Sequence, residues 1–378
     1  MKKLLVLLLA AVLVFSMAAC GTANTPTGGG NTQTPAQTST PSTPTVEGTP
    51  KVGISMPTMS LQRWNQDGNN MKAMFESAGY EADLQYGGDN DVPTQVAQLE
   101  NMIANDVDVL VIAAIEGDSL STVLEGAKAK NIAVIAYDRL IMNSDAVSYY
   151  ATFDNFKVGV LQGSYIEEAL GLKTNAGPFN IELFTGDPGD NNIRFFFPGA
   201  MSVLQPYIDS GKLVVPSGVV DIMAVATEGW STEKAQSRME NLISSQGYGP
   251  NGKKLDAVMS SNDSIANGIT NALVNAGYTK DNFPALTGQD CDITSTKNMI
   301  AGLQGMSVFK DTRTLAARVV EMATSIINGQ QPEVNDTSTY NNNVKVVPSY
   351  LCEPVFGTAA NYKELLIDSG YYTEDQLQ

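Results

Sequence analysis

The sequence predicts an α/β protein made of two doubly wound parallel-sheet lobes, and three features carry that prediction. Short β-branched runs alternate with helical patterns from residue 51 to residue 288. The run VDVLVIAAI (107–115) is almost wholly apolar, as a strand covered on both faces must be. The alternation starts afresh after Asp138. Regular β/α alternation gives parallel sheets with helices on both faces, and two such series in tandem give two lobes.

Taken in order, VGISM (52–56) is the first strand. It precedes a helix in which Trp64, Gly68, Met71, Phe75 and Ala78 recur at helical spacing until Gly79 stops it. EADLQY (81–86) is the second strand, and the next helix carries Val92, Val96, Leu99 and Ile103 on one face. The strand 107–115, a further helix and the strand IAVIAY (132–137) complete the first series. The second series reads helix 157–171, strand FNIELF (179–184), helix 193–209, strand LVVPSGVV (213–220) and helix 232–246. It continues with strand DAVMSS (256–261), helix 264–276 and strand ALTG (285–288).

Two segments of different character precede this body. MKKLLVLLLAAVLVFSMAAC has a basic start, an apolar run from Leu4 to Phe15 and small residues before Cys20. The run has signal-peptide length and is too short to span a bilayer. Its end matches a lipobox, which makes Cys20 the lipidated first residue of the mature chain. An ordinary secretory signal with a chance cysteine is the alternative. Residues 21–50 are almost entirely Thr, Pro, Gly, Ser, Asn and Gln, a composition that cannot bury enough surface to offset its conformational entropy. The expected organisation is a signal peptide over 1–20, a disordered tether over 21–50 and the lobes beyond. The chain then sits on the extracytoplasmic face of the cell membrane, held there by lipid alone.

The chain carries 23 Lys and Arg against 40 Asp and Glu, with no His. Such an acidic balance argues against nucleic acid or anionic lipid as partners. The absence of His removes the commonest metal ligand and pH-7 base, and no metal or other cofactor is expected. Cys291 and Cys352 are too few for a disulfide framework and read as two free, buried thiols.

Ligands of doubly wound sheets sit at the carboxyl ends of the strands. Those ends here carry Gln62-Arg63-Trp64, Asp138-Arg139, Phe153-Asp154-Asn155, the loop GDPGDNN (186–192) ending in Asn192, Glu228-Gly229-Trp230, Asn262-Asp263, Gln289-Asp290 and Phe309-Lys310. Carboxylates and planar amides hydrogen-bond vicinal hydroxyls, and charge-assisted bonds are the stronger kind. An aromatic face covers the apolar C–H side of a sugar ring. Trp64 and Trp230, the only tryptophans and one from each series, are placed to sandwich a pyranose. Each residue also has a plainer reading. Trp64 could simply start a core stripe, Trp230 staple Ala235, Asn262 cap its helix, Asp138 and Arg139 pair at the surface, and Lys310 be solvated. The coincidence of all of them at strand ends favours a ligand ring.

Taken together, these pieces resemble the sugar-binding lipoproteins of ABC importers, in the galactose, xylose and multiple-sugar group of type I periplasmic binding proteins. The likeness covers residues 51–360 and rests on LQRW (61–64), YDR (137–139), GDPGDNN (186–192), SND (261–263), GQD (288–290) and VFK (308–310). It implies a three-crossing hinge near Phe153, Val308 and Lys345. The N-terminal lobe would then be 51–153 with 310–345, and the C-terminal lobe 154–309 with 346–378. The resemblance further implies an aldopentose or aldohexose such as xylose, glucose or galactose in the cleft. Arg63, Asp138, Arg139, Asn155, Asn192, Asn262, Asp290 and Lys310 would hold it, with Trp64 and Trp230 stacking. It implies a monomer that serves an ABC permease with its cytoplasmic ATPase, or a sensor that reports to a chemoreceptor or histidine kinase. The calcium loop of the galactose binders has no counterpart, and relatives differ in the loop that here contains Arg194.

Two other classes weigh less. The fold is shared with sugar-responsive repressors, but the segment before residue 51 has no helix-turn-helix pattern. A glycosidase would need two carboxylates from Asp138, Asp154, Asp190, Asp263 and Asp290. Their neighbours Arg139, Asn155, Asn192 and Gln289 are expected to keep those acids ionised, so no catalysis is expected. Residues 56–59 also lack the glycine spacing of a dinucleotide loop.

Overall fold

The computed structural model describes residues 48–378, so the signal peptide, Cys20 and nearly all of the tether lie outside the described residues. The first series forms β1 (Lys51–Met56), α1 (Gln62–Ser77), β2 (Glu81–Tyr86), α2 (Val92–Ala104), β3 (Val109–Ile112), α3 (Ser121–Ala129), β4 (Ala133–Tyr137) and β5 (Val147–Phe153). The second forms α4 (Asn155–Ala169), β6 (Phe179–Phe184), α5 (Ile193–Asp209), β7 (Leu213–Val214), α6 (Thr232–Gln246), β8 (Ala257–Ser260), α7 (Asp263–Asn275), β9 (Ala285–Leu286), α8 (Ile293–Ala301) and β10 (Ser307–Phe309). The chain then runs through α9 (Thr312–Ile327) and β11 (Ser349–Cys352) to β12 (Val355–Gly357). Among the described residues, no helix is long and apolar enough to cross a membrane.

The N-terminal lobe is built on a six-stranded sheet in the order β11-β5-β4-β3-β1-β2, and every pair in it is parallel. Successive side chains of a strand point to opposite faces, and β3 shows the consequence. Val109 and Val111 pack with Met71 and Phe75 of α1 and Leu315 and Val319 of α9. Leu110 and Ile112 pack instead with Leu99 of α2 and Leu124 of α3. The C-terminal lobe repeats the scheme on the parallel sheet β7-β6-β8-β9. There Val258 faces α6 and α7, while Ala257 and Met259 face α4 and α5. The fold is the doubly wound α/β architecture the alternation predicts.

Two expectations are corrected. The strand expected over 213–220 ends at Val214, because Pro216 has no N–H for the ladder and Gly218 turns the chain at φ +70°. The Gly218 N–H closes that turn on the Val215 carbonyl at 2.9 Å. The third crossing does not fall at Lys345. β11 pairs in parallel with β5, Ser349 opposite Tyr150 and Cys352 opposite Phe153, so residues 346–352 belong to the N-terminal lobe. The crossing lies at Glu353 and Pro354, before β12 pairs antiparallel with β10. The other two crossings are at Asp154, between β5 and α4, and at Lys310 and Asp311, between β10 and α9.

The C-terminal segment ties back to the first helix. Its core residues Leu366, Tyr372 and Leu377 pack with Cys291 and Met299 of the C-terminal lobe. Gln62 Nε2 of α1 donates to the Tyr372 hydroxyl at 2.8 Å, and Tyr371 lies edge-on to Phe309 with ring centroids 4.9 Å apart. Among the described residues, Cys291 and Cys352 are buried, free thiols.

Helices α4 and α5 approach so closely that Gly159 admits no side chain: a Cβ there would lie 2.0 Å from the Phe196 carbonyl oxygen. Glycine to alanine inside an ordinary helix stabilises by about 1 kcal/mol. Here overpacking reverses the sign, and Gly159→Ala is expected to lose about 1–3 kcal/mol in urea denaturation. Equal or greater stability in the variant would contradict the close packing described.

Candidate functional site

The strand ends of both lobes converge on one cavity. Arg63, Trp64, Asp138 and Arg139 line it from the N-terminal lobe, and Asn192, Trp230, Asn262 and Asp290 from the C-terminal lobe, with Lys310 at a crossing. These are nine of the residues singled out from the sequence. Asn155 is the exception. It is fully buried outside the cavity lining, and its Nδ2 donates to Asn192 Oδ1 at 3.0 Å and to Thr152 Oγ1 at 3.2 Å. It orients Asn192 from behind because the first residue of α4 points into the hinge. Arg194 is exposed and does not line the cavity.

The charged groups are paired across the cleft. Arg63 lies 3.0 Å from Asp138, 3.3 Å from Asp290 and 3.0 Å from Asp67. Lys310 lies 3.1 Å from Asp290 and 3.9 Å from Asp138. Arg139 Nε sits 3.0 Å from Asp190, while its NH1 donates to the carbonyls of Ala114 and Ile115 at 3.1 Å each. Burial pushes the Asp138 carboxyl up, but Arg63, Lys310 and Arg139 outweigh it and hold the group below the usual carboxylate range. Asp67 moves the other way: burial raises it to about 6 despite Arg63, and it accepts a hydrogen bond from the Tyr137 hydroxyl. Asp190 is also raised by burial against Arg139. Asp263 is raised well above its ordinary value, by burial and then by Asp292 and Asp290. The neighbours therefore outweigh burial at Asp138, whereas burial outweighs them at Asp190 and Asp263.

Backbone geometry is unusual where the site needs it. Asp138 has φ +59°, Trp230 +54°, Asp290 +95° and Cys291 +50°, values that side chains other than glycine rarely adopt. Such strain persists only where neighbours over-determine it. The Asp138 carbonyl accepts from Tyr150 Oη (2.6 Å), Asn192 Nδ2 (2.8 Å) and Thr152 Oγ1 (3.1 Å). The Asp290 N–H donates to the Val308 carbonyl at 2.8 Å and the Cys291 N–H to Ser307 Oγ at 3.0 Å. Asn192 thus bonds across the cleft to Tyr150 (3.1 Å) as well as to Asp138.

Both tryptophans serve core and cavity at once. Trp64, 2% exposed, belongs to the N-terminal core, and the guanidinium carbons of Arg63 and Arg139 lie 4.5 and 5.0 Å from its ring centre. Trp230, 5% exposed, belongs to the C-terminal core and meets Phe196 edge-on at 6.3 Å. Neither indole N–H has a protein partner. Trp230 rests on Gly186, where a Cβ would come within 2.0 Å of the indole. Asn262 does cap α7, its Oδ1 accepting from the Ile265 N–H at 3.0 Å, yet it also lines the cavity. The plainer and the functional readings coexist.

Phe196 and Asp292 also line the cavity and were not singled out, while Gln289 and Asp190 were named at their strand ends but not among the sugar contacts. Phe196 lies one helical turn after Asn192, so the same face of α5 was the available signal. Gln289 Oε1 is buried without a partner. Asp292 looks in sequence like a helix cap, yet its side chain makes no cap bond.

A cavity of buried acids, amides and indoles, closed between two doubly wound lobes, defines a protein that captures a small polar ligand. The periplasmic binding protein domain model matches residues 52–331. The chain is 55% identical over 87% of its length to the multiple sugar-binding periplasmic protein SbpA of Azospirillum brasilense, covering 91% of that protein. It is 53% identical over 86% of its length to the multiple sugar-binding periplasmic receptor ChvE of Rhizobium radiobacter, covering 92% of it. Among solved structures, an ABC transporter solute binding protein from Clostridium phytofermentans with bound β-D-glucose matches at 64% identity and TM-score 0.84, over 87% of this chain and all (100%) of that one. A carbohydrate transporter solute binding protein from Chloroflexus aurantiacus in complex with D-glucose matches at 32% identity and TM-score 0.77, over 87% and 98% of the two chains. The chain belongs to the periplasmic binding protein family, with the type I fold of its sugar-binding members.

Two outcomes follow from the geometry. Gly186→Ala is expected to push the indole of Trp230 outward, red-shifting tryptophan emission and costing about 1–3 kcal/mol of stability. Unchanged emission would show that the loop yields instead. Asp292 has its carboxyl raised from 3.8 to about 7, by burial and then by Asp290. The folded protein therefore holds that proton where the unfolded chain has lost it, and the contribution to stability falls as pH rises from about 4 to about 7. Asp292→Asn is expected to shrink the drop in melting temperature between pH 4.5 and pH 7.5; an unaltered drop would contradict the shift.

Proposed function

We propose that the chain is an extracytoplasmic lipoprotein that captures a neutral aldose, glucose foremost, and delivers it to an ABC importer. The observation that carries this reading is the cavity itself. Asp138, Asp290 and Asn192 offer directional acceptors and donors for hydroxyls beside the indoles of Trp64 and Trp230. The names of the glucose-bound relatives support an aldohexose, and the xylose-binding protein of Escherichia coli, 38% identical, supports an aldopentose as a further ligand. The lipobox at Cys20 supports anchorage by lipid, with the polar stretch 21–50 as tether. Closure would follow from a ligand that contacts both lobes, since it binds the closed state more tightly than the open one. A second reading, sensing beside transport, is favoured by the relative whose name calls it a receptor.

A ligand that binds only the folded state raises its melting temperature. Among glucose, galactose, xylose, arabinose, ribose and fucose, one or more aldoses, glucose included, are expected to give a clear rise with the mature chain. No rise with any of them would overturn the reading. Trp230→Ala should weaken glucose binding by about tenfold or more in calorimetry, equivalent to about 1.4 kcal/mol per tenfold. Cys20→Ala should abolish incorporation of labelled palmitate; labelling that survives would contradict Cys20 as the lipidated residue.

A further inference from the structure

We propose that the cavity also accepts aldoses bearing a protonated amine, with the Asp292 carboxylate as the group that receives the ammonium. This rests on the sugar-binding reading and deepens it.

The cations of the cavity are already paired. The cations that line the cavity are Arg63, Arg139 and Lys310. Each has an acid within ion-pair distance: Arg63 has Asp138 at 3.0 Å and Asp290 at 3.3 Å, Lys310 has Asp290 at 3.1 Å, and Arg139 has Asp190 at 3.0 Å. Asp292 lines the same cavity without a counterpart. Among the described residues its carboxylate enters no ion pair, accepts no hydrogen bond and does not cap α8, at whose start it stands. Its backbone is fixed, because its N–H donates to Asp263 Oδ2 at 2.8 Å. The site therefore has no spare cation but does have one spare acid.

The surroundings reinforce that imbalance. Behind the lining stand two further acids, Asp67 on α1 and Asp263 on α7, both fully buried. Facing Asp292 are Asp290, the cations Arg63 and Lys310, Asp263 and the Tyr372 hydroxyl. Burial and Asp290 lift the Asp292 carboxyl to about 7, so near neutral pH it is shared between its two forms. A ligand hydroxyl can meet either form, as acceptor or donor. An ammonium selects the carboxylate, gains a charge-assisted bond and displaces the proton to solvent. An acid that would otherwise be desolvated and unpaired is then matched by the ligand. Asp292 is thus a residue that sets which charge a sugar may carry.

The test is calorimetric titration at pH 7 of D-glucose and of 2-amino-2-deoxy-, 3-amino-3-deoxy- and 6-amino-6-deoxy-D-glucose. Each is titrated into the mature chain and into its Asp292→Asn and Asp292→Ser variants, the second keeping a residue suited to a helix start. At least one aminodeoxyglucose is expected to bind wild type within about tenfold of glucose, and its Kd relative to glucose to rise by about tenfold or more in both variants. If wild type binds glucose but none of the three amines, or if the ratio is unchanged in the variants, the proposal is overturned and the sugar reading stands. If wild type binds neither glucose nor an amine, the sugar reading falls and this inference with it.

Discussion

Arg63, Lys310, Asp138 and Asp290 bring two cations and two anions together in one buried space, drawn from both lobes and from the crossing between them. Removing such ions from water costs several kcal/mol each, so a group of this kind is a poor device for stability alone. What it provides is direction. The cations hold Asp138 below the usual carboxylate range and orient both carboxylates, which keep lone pairs for a ligand, and the cations keep protons to donate. Within this group of four the charges balance, so it presents no net charge of its own to a neutral molecule in the cleft.

The fold makes this arrangement possible by bringing strand-end loops and the first turns of α1 and α5 to the site. Parallel strands deliver their carboxyl ends to one edge of each sheet, and the two edges face each other across the hinge. The left-handed backbone at Asp138, Trp230 and Asp290 turns each side chain inward immediately after its strand or turn. The conformation at Asp138 is fixed by bonds from Tyr150, Thr152 and Asn192 to a single carbonyl, so both lobes contribute to holding one strained residue. Gln62 extends the coupling, donating to Tyr372 at 2.8 Å and accepting from the Ile293 N–H at 3.3 Å. The C-terminal lobe therefore touches the helix that carries Arg63 at more than one point.

The sequence made the sheets legible where strands are covered on both faces, since Val109 to Ile112 must be apolar at every position. It also pointed to most of the cavity lining, because polar residues clustered after successive strands meet at one edge of each sheet. It failed where the deciding partner is distant. β11 is a short run whose membership depends on β5, some two hundred residues earlier, and no local pattern reports that pairing. Asn155 shows the same limit at the scale of one side chain, since adjacency to a crossing does not say which way the first residue of a helix points. Phe196 was hidden by looking like core and Asp292 by looking like a cap. Phe196 does pack in the core, whereas Asp292 makes no cap bond, and both face the cavity.

The account makes Asp290 the joint of the site: it is contributed by the C-terminal lobe and pairs with Arg63 of the N-terminal lobe and Lys310 of the hinge. Asp290→Asn preserves shape and removes the charge, leaving the two cations to share Asp138. The decisive measurement is therefore titration of D-glucose into this variant and wild type under identical conditions. The account predicts a loss of about hundredfold or more, near 3 kcal/mol. Glucose affinity within a few fold of wild type would contradict it, since the ligand would then be held without the charge group that spans the cleft.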